Sequence, residues 1–295
     1  MRAITLQSPA KVNLHLEIGG KRNDGFHDLC SLFQIVSLAD TITVRSLKDS
    51  NNTCSIHGAF SCDSEDNLIC KAYRLFSQTY KLKTSIDVVV EKRIPEGAGL
   101  GGGSSNAASM LKGLRDLFTV PIHNQELSRL AAHLGSDVPF FCRSPLACVS
   151  GRGEKVTPLD SPRRIPLVLV LPDFPVSTAD AYRWLDAEQG NTERTVSCGK
   201  DFSSLYKQPP EEWPFFNSFT PILLSRHPLI GEVLEDLRSA GALCADVSGS
   251  GSAIFGVFAS REAASMAAVI LKGKKRLKQV LTIETLAIFP DSILQ

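Results

Sequence analysis

The chain has 295 residues, 43% of them hydrophobic and 21% charged, with a formal net charge of +1. That length suits one large domain or two moderate ones, and that composition suits a globular protein with an ample core. Near-neutral charge removes the electrostatic case for nucleic acid or an anionic membrane as main partner, and no apolar run approaches the roughly 20 residues of a membrane-spanning helix.

Residues 1–46 read as several β segments, Leu32 to Val44 among them, with the Gly19–Gly25 turn between them. Asn67 to Tyr80 reads as a helix and Ser85 to Arg93 as a strand. A glycine-rich stretch follows, then a helix with Ala107, Leu111, Leu114 and Phe118 at helical spacing. Asn124 reads as the N-cap of a helix with apolar face Leu127, Leu130, Ala131 and Leu134, closed by Gly135. Leu146 to Pro158 reads as a hairpin turning at Gly151–Gly153. The polar stretch 157–164, with two prolines, marks a boundary between domains at 1–160 and 161–295. Beyond it come a buried strand, Ile165 to Leu171, a helix, Thr178 to Ala187, and a polar, irregular stretch at 188–214. Helices at about 228–239 and 261–271 then alternate with strands at 243–247, 253–258 and 280–288. The basic run Lys272 to Lys278 reads as cations at a helix C-terminus. Mixed elements without a regular βαβ repeat predict an α+β fold.

Eight cysteines are scattered along the chain without a C-x-x-C pair, so no zinc or thioredoxin signature is present. Cys54, His57 and Cys62 lack a fourth ligand and read as a polar loop. Cys70, Cys142, Cys148 and Cys244 sit in apolar runs as buried reduced thiols would, which predicts a reducing, cytoplasmic setting. The first motif, at Pro9, leaves no room for a signal or transit peptide before it.

The most informative stretch is Pro95-Glu-Gly-Ala-Gly-Leu-Gly-Gly-Gly-Ser-Ser-Asn106, with five glycines in the seven positions 97–103. Strand, glycine loop and helix in that order make an anion cradle. Glycines allow backbone angles that turn N–H groups inward, and a helix start adds unpaired donors and a positive dipole end. Ser104 and Ser105 can cap the helix, bind phosphate oxygens, or do both. Gly97-x-Gly99-x-x-Gly102 satisfies the dinucleotide pattern, but Asp116 to Pro121 runs into a proline where a ribose-binding strand would stand. No Gly-Lys-Ser/Thr follows the glycines, which excludes a P-loop, and the paired segments of protein kinases are missing.

Two further segments narrow the choice: Ser8-Pro-Ala-Lys-Val-Asn-Leu14 and Asp246-Val-Ser-Gly-Ser-Gly-Ser252. Together with the glycine loop they resemble the three motifs of the GHMP kinases (galacto-, homoserine, mevalonate and phosphomevalonate kinases). Asp24-Gly-Phe-His27, Asp66-Asn-Leu-Ile69 and Gly135-Ser-Asp-Val-Pro-Phe-Phe141 bring the resemblance closer to the branch acting on 4-diphosphocytidyl-2-C-methyl-D-erythritol, on the methylerythritol phosphate route to isoprenoids. The resemblance runs from Pro9 to about Phe255. It implies a ribosomal-protein-S5-like N-terminal half and a ferredoxin-like C-terminal half, with the active site in the cleft between them.

A kinase must hold the triphosphate, align an alcohol with the γ-phosphorus and manage a proton and much negative charge. Lys11 is the sole charge between Ile4 and Glu17, and Asp137 leads into the apolar Val138-Pro-Phe-Phe141, where a carboxylate needs a partner. Such a pair beside an acceptor hydroxyl keeps the aspartate ionised and stabilises the forming alkoxide. The resemblance gives those catalytic roles to Lys11 and Asp137. It implies ATP with Mg²⁺, the nucleotide being held by Asn67, Lys92, Pro95, Gly97, Gly99, Leu100, Gly101, Gly102, Gly103, Ser104, Ser105 and Asn106; no metal ligands follow from it. For the substrate, a cytidine-diphosphate-linked methylerythritol, it implies Asn13, Phe26, His27, Thr178, Tyr182, Ser248, Gly249, Ser250 and Gly251. Phe26 and Tyr182 would sandwich the cytosine while His27 reads its edge.

Three departures from the family pattern stand out: Phe26 where tyrosine is frequent, Asn217-Ser218 for the usual Asn-Asp, and Glu96 at the mouth of the loop, facing solvent or a metal. The alternatives are a homoserine- or mevalonate-type kinase, or a non-catalytic nucleotide-binding relative. Lys11 and Asp137 argue against the second.

Overall fold

The computed structural model describes residues 2–49, 51–189, 196, 198–274 and 276–294. Two long strands open the chain, β1 (Ala3–Lys21) and β2 (His27–Ser46), paired antiparallel. Their register slips between Pro9 and Lys11 and again between Asn13 and His15. Such irregularities re-aim side chains, and they bracket Lys11 and Asn13. A short strand, β3 (Cys54–His57), lies parallel to β4 (Ile86–Glu91) at the edge of this sheet. The polar loop expected around Cys54 and His57 is therefore a strand, half-buried in alternation.

Helix α1 (Leu68–Tyr80) packs its Ile69, Tyr73 and Phe76 face into the core, each such side chain contributing roughly 1.5–3 kcal/mol. Helix α2 (Gly102–Leu117) follows the glycine loop and buries Ala107, Leu111 and Leu114, as their spacing predicted. Helix α3 (Asn124–Ala131) is capped at His123, not at Asn124. The reason is that the Asn124 side chain accepts from Arg115 at 2.7 Å instead of from its own helix. Helix α4 (Val138–Arg143) then leads into the hairpin β5 (Leu146–Gly151) and β6 (Lys155–Pro158).

The second half builds a four-stranded antiparallel sheet from β7 (Pro166–Pro172), β8 (Cys244–Val247), β9 (Ile254–Val257) and β10 (Leu277–Glu284), in the order β10-β7-β9-β8. Its helices are α5 (Thr178–Gln189), α6 (Phe202–Lys207), α7 (Thr220–Arg226), α8 (Pro228–Ser239) and α9 (Arg261–Lys272). Helix α6 lies inside the stretch expected to be irregular; Asp201 caps it by accepting from the Ser204 N–H. Part of that stretch, residues 190–195 and 197, lies outside the described residues.

The two sheets share a core. Ala10, Val12 and Leu14 of β1 join Leu167, Leu169 and Leu171 of β7 and Phe255 of β9 in one buried cluster. The last strand, β11 (Ile293–Leu294), returns to pair with β1, so the chain ends on the first sheet. Among the described residues no helix is long and apolar enough to cross a membrane. The result is a mixed helix-and-sheet fold of two halves.

Candidate active site

A cleft of about 490 Å³ lies between the halves. The first half lines it with the glycine loop, Lys11, Asn13, Asn67, Lys92 and Asp137; the second contributes Thr178, Tyr182, Phe219, Gly249 and Ser250.

The glycine loop adopts the conformation its sequence demands. Gly97, Gly99 and Gly101 have φ of +67°, +76° and +68°, in the region that L side chains avoid. Gly101 is the N-cap residue of α2 and supplies no side-chain cap. Ser105 N–H donates to Gly101 C=O at 2.8 Å, so the amides of Gly102, Gly103 and Ser104 precede the first intrahelical bond and stand at the positive end of the helix dipole. Neither serine caps the helix. Ser104 lines the cleft, whereas Ser105 is buried behind the helix, accepting from the Ser8 hydroxyl at 2.8 Å.

The third motif closes the floor. Ser248 Oγ donates to Gly99 C=O at 3.0 Å, and Ala253 N–H donates to Ala98 C=O at 3.2 Å. The two loops are so close that a Cβ on Gly99 would stand 2.0 Å from the Ser248 carbonyl oxygen. Ser248 is fully buried beneath the turn and Gly251 is also absent from the cleft wall, while Gly249 and Ser250 reach it. The Ser250 and Thr178 hydroxyls are hydrogen-bonded at 2.9 Å, tying α5 to the turn.

Lys11 is 3% exposed. Its ammonium donates to Asn13 Oδ1 at 2.5 Å and to Gly99 C=O at 2.8 Å, and sits 4.8 Å above the Phe33 ring. Asn13 is held in turn by its Nδ2–H donating to Ser31 Oγ at 3.0 Å. Burial pushes the lysine's pKa below the ordinary value, and the negative charge of Asp137 pulls it part of the way back. Asp137 sits at the start of α4 and makes no capping bond there, so its carboxylate is left to the cleft.

Asn67 serves two purposes: its Oδ1 accepts from Ile69 N–H at 3.0 Å, capping α1, and it lines the cleft. Lys92 is engaged with Asp40, Nζ to Oδ2 at 2.5 Å. Pattern reading passed over Asp40, although one clue was available: a single carboxylate interrupts an otherwise strand-like run. Glu96 is exposed to solvent, as one of the two expectations had it, and accepts from the Ser61 backbone N–H at 3.3 Å and from the Ser61 hydroxyl. That contact brings Phe60, Ser61 and Cys62 to the cleft wall, three residues no sequence pattern indicated. Ser218 donates nothing to the cleft: its hydroxyl accepts from Ile18 N–H at 3.1 Å.

The expected base-binding residues are only partly assembled. Tyr182 lines the cleft, in edge contact with Phe219. Burial, with the charges of Asp137 and Asp186, pushes its hydroxyl up to about 12. His27 lies behind it, its ring stacked on Tyr182 at 5.0 Å between centroids. Its Nδ1 meets Gly19 C=O at 3.0 Å and its Nε2 meets Asp186 at 3.1 Å. Phe26 is 52% exposed, outside the cleft wall, with the Arg152 guanidinium 4.9 Å from its ring.

A phosphate cradle at a helix start, with a buried lysine and a carboxylate across a cleft between two halves, defines the class: an ATP-dependent small-molecule kinase of the GHMP type. Residues 67–144 match the family model for the GHMP kinases N terminal domain, and residues 200–275 match that for GHMP kinases C terminal. The chain is 34% identical over 274 residues to the 4-diphosphocytidyl-2-C-methyl-D-erythritol kinase of Thermodesulfovibrio yellowstonii, covering 92% of this chain and 95% of that protein. With the enzyme of the same name from Treponema pallidum it shares 36% identity over 270 residues, covering 89% and 92%. A crystal structure of 4-(cytidine 5′-diphospho)-2C-methyl-D-erythritol kinase superposes with a TM-score of 0.76 at 33% identity, covering 95% and 98% of the two chains. Homoserine kinase from Cytophaga hutchinsonii reaches a TM-score of 0.74 at 16% identity, over 99% and 97%, a likeness of fold alone. The chain belongs to the 4-diphosphocytidyl-2-C-methyl-D-erythritol kinase family of GHMP kinases.

Proposed function

We propose that this protein transfers the γ-phosphoryl group of ATP to the 2-hydroxyl of 4-diphosphocytidyl-2-C-methyl-D-erythritol. The observation that carries the reading is the juxtaposition, in one cleft, of the unpaired amides at the start of α2 with Lys11 and Asp137. The chain then divides its work as its two halves suggest, with residues 1–160 holding nucleotide and catalytic pair and 161–295 closing the substrate side.

Gly97 to Ser104 receive the phosphates through backbone N–H groups, and the helix dipole adds to their pull. Asn67 and Pro95 border the adenosine, with Lys92 beside them. Asp137 accepts the proton of the acceptor hydroxyl or orients it. Lys11, fixed by Asn13 and Gly99, keeps Asp137 ionised and stabilises the forming alkoxide; such positioned terms are worth on the order of 100- to 10,000-fold. Among the described residues no group of three or more His, Cys, Asp or Glu forms a metal cage. Mg²⁺ would neutralise phosphate charge, and the Ser104 hydroxyl, at the start of α2 in the cleft wall, would help to hold it. The free thiols among the described residues suit a reducing cytoplasm.

Tyr182 and Phe26 stack on the cytosine and His27 reads its edge. Because Phe26 stands outside the wall and His27 is engaged by Asp186, this part of the reading requires the 22–27 turn to close on the base. Tyr182→Ala and Phe26→Ala should each raise KM for the cytidyl substrate by about 1–3 kcal/mol of lost stacking while ATP affinity stays unchanged. His27→Ala should weaken discrimination against a uridine analogue. Unchanged KM in all three folded variants would remove these residues from base recognition.

A further inference from the structure

Asp40 is fully buried, and four donors converge on its carboxylate. Oδ1 accepts the backbone N–H groups of Arg93 at 2.7 Å and Ile94 at 2.9 Å. Oδ2 accepts Lys92 Nζ at 2.5 Å and Asn106 Nδ2 at 2.9 Å. Lys92 also donates to Asn106 Oδ1 at 3.2 Å, and Asn106 donates to Ser8 Oγ at 2.9 Å.

The placement of these partners matters more than their number. Arg93 and Ile94 lead into the glycine loop, and Asn106 lies in the opening of the helix that leaves it. One carboxylate on β2 therefore pins both ends of the loop, across sequence separations of 53 and 66 residues. The loop interior cannot do this itself, since its glycines carry no side chains. Lys92 is 10% exposed on its side chain and its charge is matched by Asp40, so it reaches the nucleotide as one half of an ion pair rather than as a free cation. A buried pair of this kind adds little net stability against an apolar substitute, but it fixes geometry, and breaking one side is costly.

We propose that Asp40 is a positioning residue for ATP: it sets the spacing between the two ends of the phosphate loop and holds Lys92 at the nucleotide, without touching substrate or reacting atoms. This rests on the reading of the loop as the ATP cradle.

Asp40→Asn keeps the shape and turns one acceptor oxygen into a donor facing two donors, Lys92 and Asn106. It should weaken binding of a non-hydrolysable ATP analogue at least tenfold by calorimetry and raise KM for ATP similarly. Affinity for the cytidyl substrate should stay within about twofold. The exchanged pair Asp40→Asn with Asn106→Asp moves the carboxylate to the other side of the same network, still beside Lys92, and should recover most of the ATP affinity. A merely structural residue would lower the melting temperature and the active fraction, leaving both affinities of the folded protein unchanged; that result overturns the proposal. So does a folded exchange variant that binds the ATP analogue no better than Asp40→Asn, or failure of both variants to fold. A wild-type protein that does not bind the analogue sinks the cradle reading, and this proposal with it.

Discussion

Gly97 and Gly99 offer a matched pair of perturbations within one loop. Both have positive φ, +67° and +76°, so alanine at either position carries the left-handed penalty of about 1–2 kcal/mol. They differ in surroundings. Nothing lies within 4 Å of a Cβ on Gly97, whereas a Cβ on Gly99 would stand 2.0 Å from the Ser248 carbonyl oxygen and 3.2 Å from that of Gly251. Both obstacles are backbone, so the loop and the third motif must part. Parting them breaks the Ser248 Oγ–Gly99 bond of 3.0 Å and the Lys11 Nζ–Gly99 bond of 2.8 Å. A neutral bond contributes about 0.5–1.5 kcal/mol and a charged one about 1.5–3. Gly97→Ala should therefore cost about 1–2 kcal/mol of stability and keep ATP-analogue binding. Gly99→Ala should cost about 3–6 kcal/mol and lose most turnover, because Lys11 loses an anchor. Urea unfolding, analogue calorimetry and steady-state turnover on both variants read this directly. Equal stability and turnover in the two variants would refute the claim that Gly99 holds the two loops together.

Asp137→Asn and Lys11→Ala should each reduce turnover on the order of 100- to 10,000-fold and leave ATP-analogue affinity nearly unchanged; near-native turnover in either variant removes that residue from the mechanism. Lys11 acts in its charged form, and burial lowers its pKa from 10.5, so turnover should fall on the alkaline side before an ordinary lysine would titrate; a limb at or above 10.5 contradicts this. His15 is buried with its Nε2 lacking a hydrogen-bond partner, and burial, with Lys200 nearby, lowers its pKa from 6.5 to about 4. The unfolded chain then binds the extra proton between those values, so stability should fall as pH drops from 6.5 towards 4, by up to about 3 kcal/mol. Urea unfolding across that range should show the slope, and His15→Leu should flatten it; an unchanged slope assigns the acid loss elsewhere.

Much of the site was legible because its chemistry is local in sequence. The five glycines, the helix after them and Lys11, the sole charge between Ile4 and Glu17, are each read from a few neighbouring residues, and they meet in the cleft. What escaped depends on partners far apart in the chain. Asp40 gains its meaning from Arg93, Ile94 and Asn106. The two nitrogens of His27 are engaged by Gly19 and Asp186, which no motif indicated. Glu96 is answered by Ser61, 35 residues before it. The same cause explains the fold-level errors. A half-buried edge strand such as Cys54–His57 has too few apolar residues to announce itself, and Asn124 forfeits its capping role to Arg115.

The most direct test of the account is to supply purified protein with ATP, Mg²⁺ and 4-diphosphocytidyl-2-C-methyl-D-erythritol and follow the products by phosphorus NMR. The account predicts ADP together with a new phosphomonoester on the 2-hydroxyl, at a rate far above that with homoserine or mevalonate. Preferred phosphorylation of homoserine or mevalonate, or nucleotide binding with no transfer to any of the three, would contradict it.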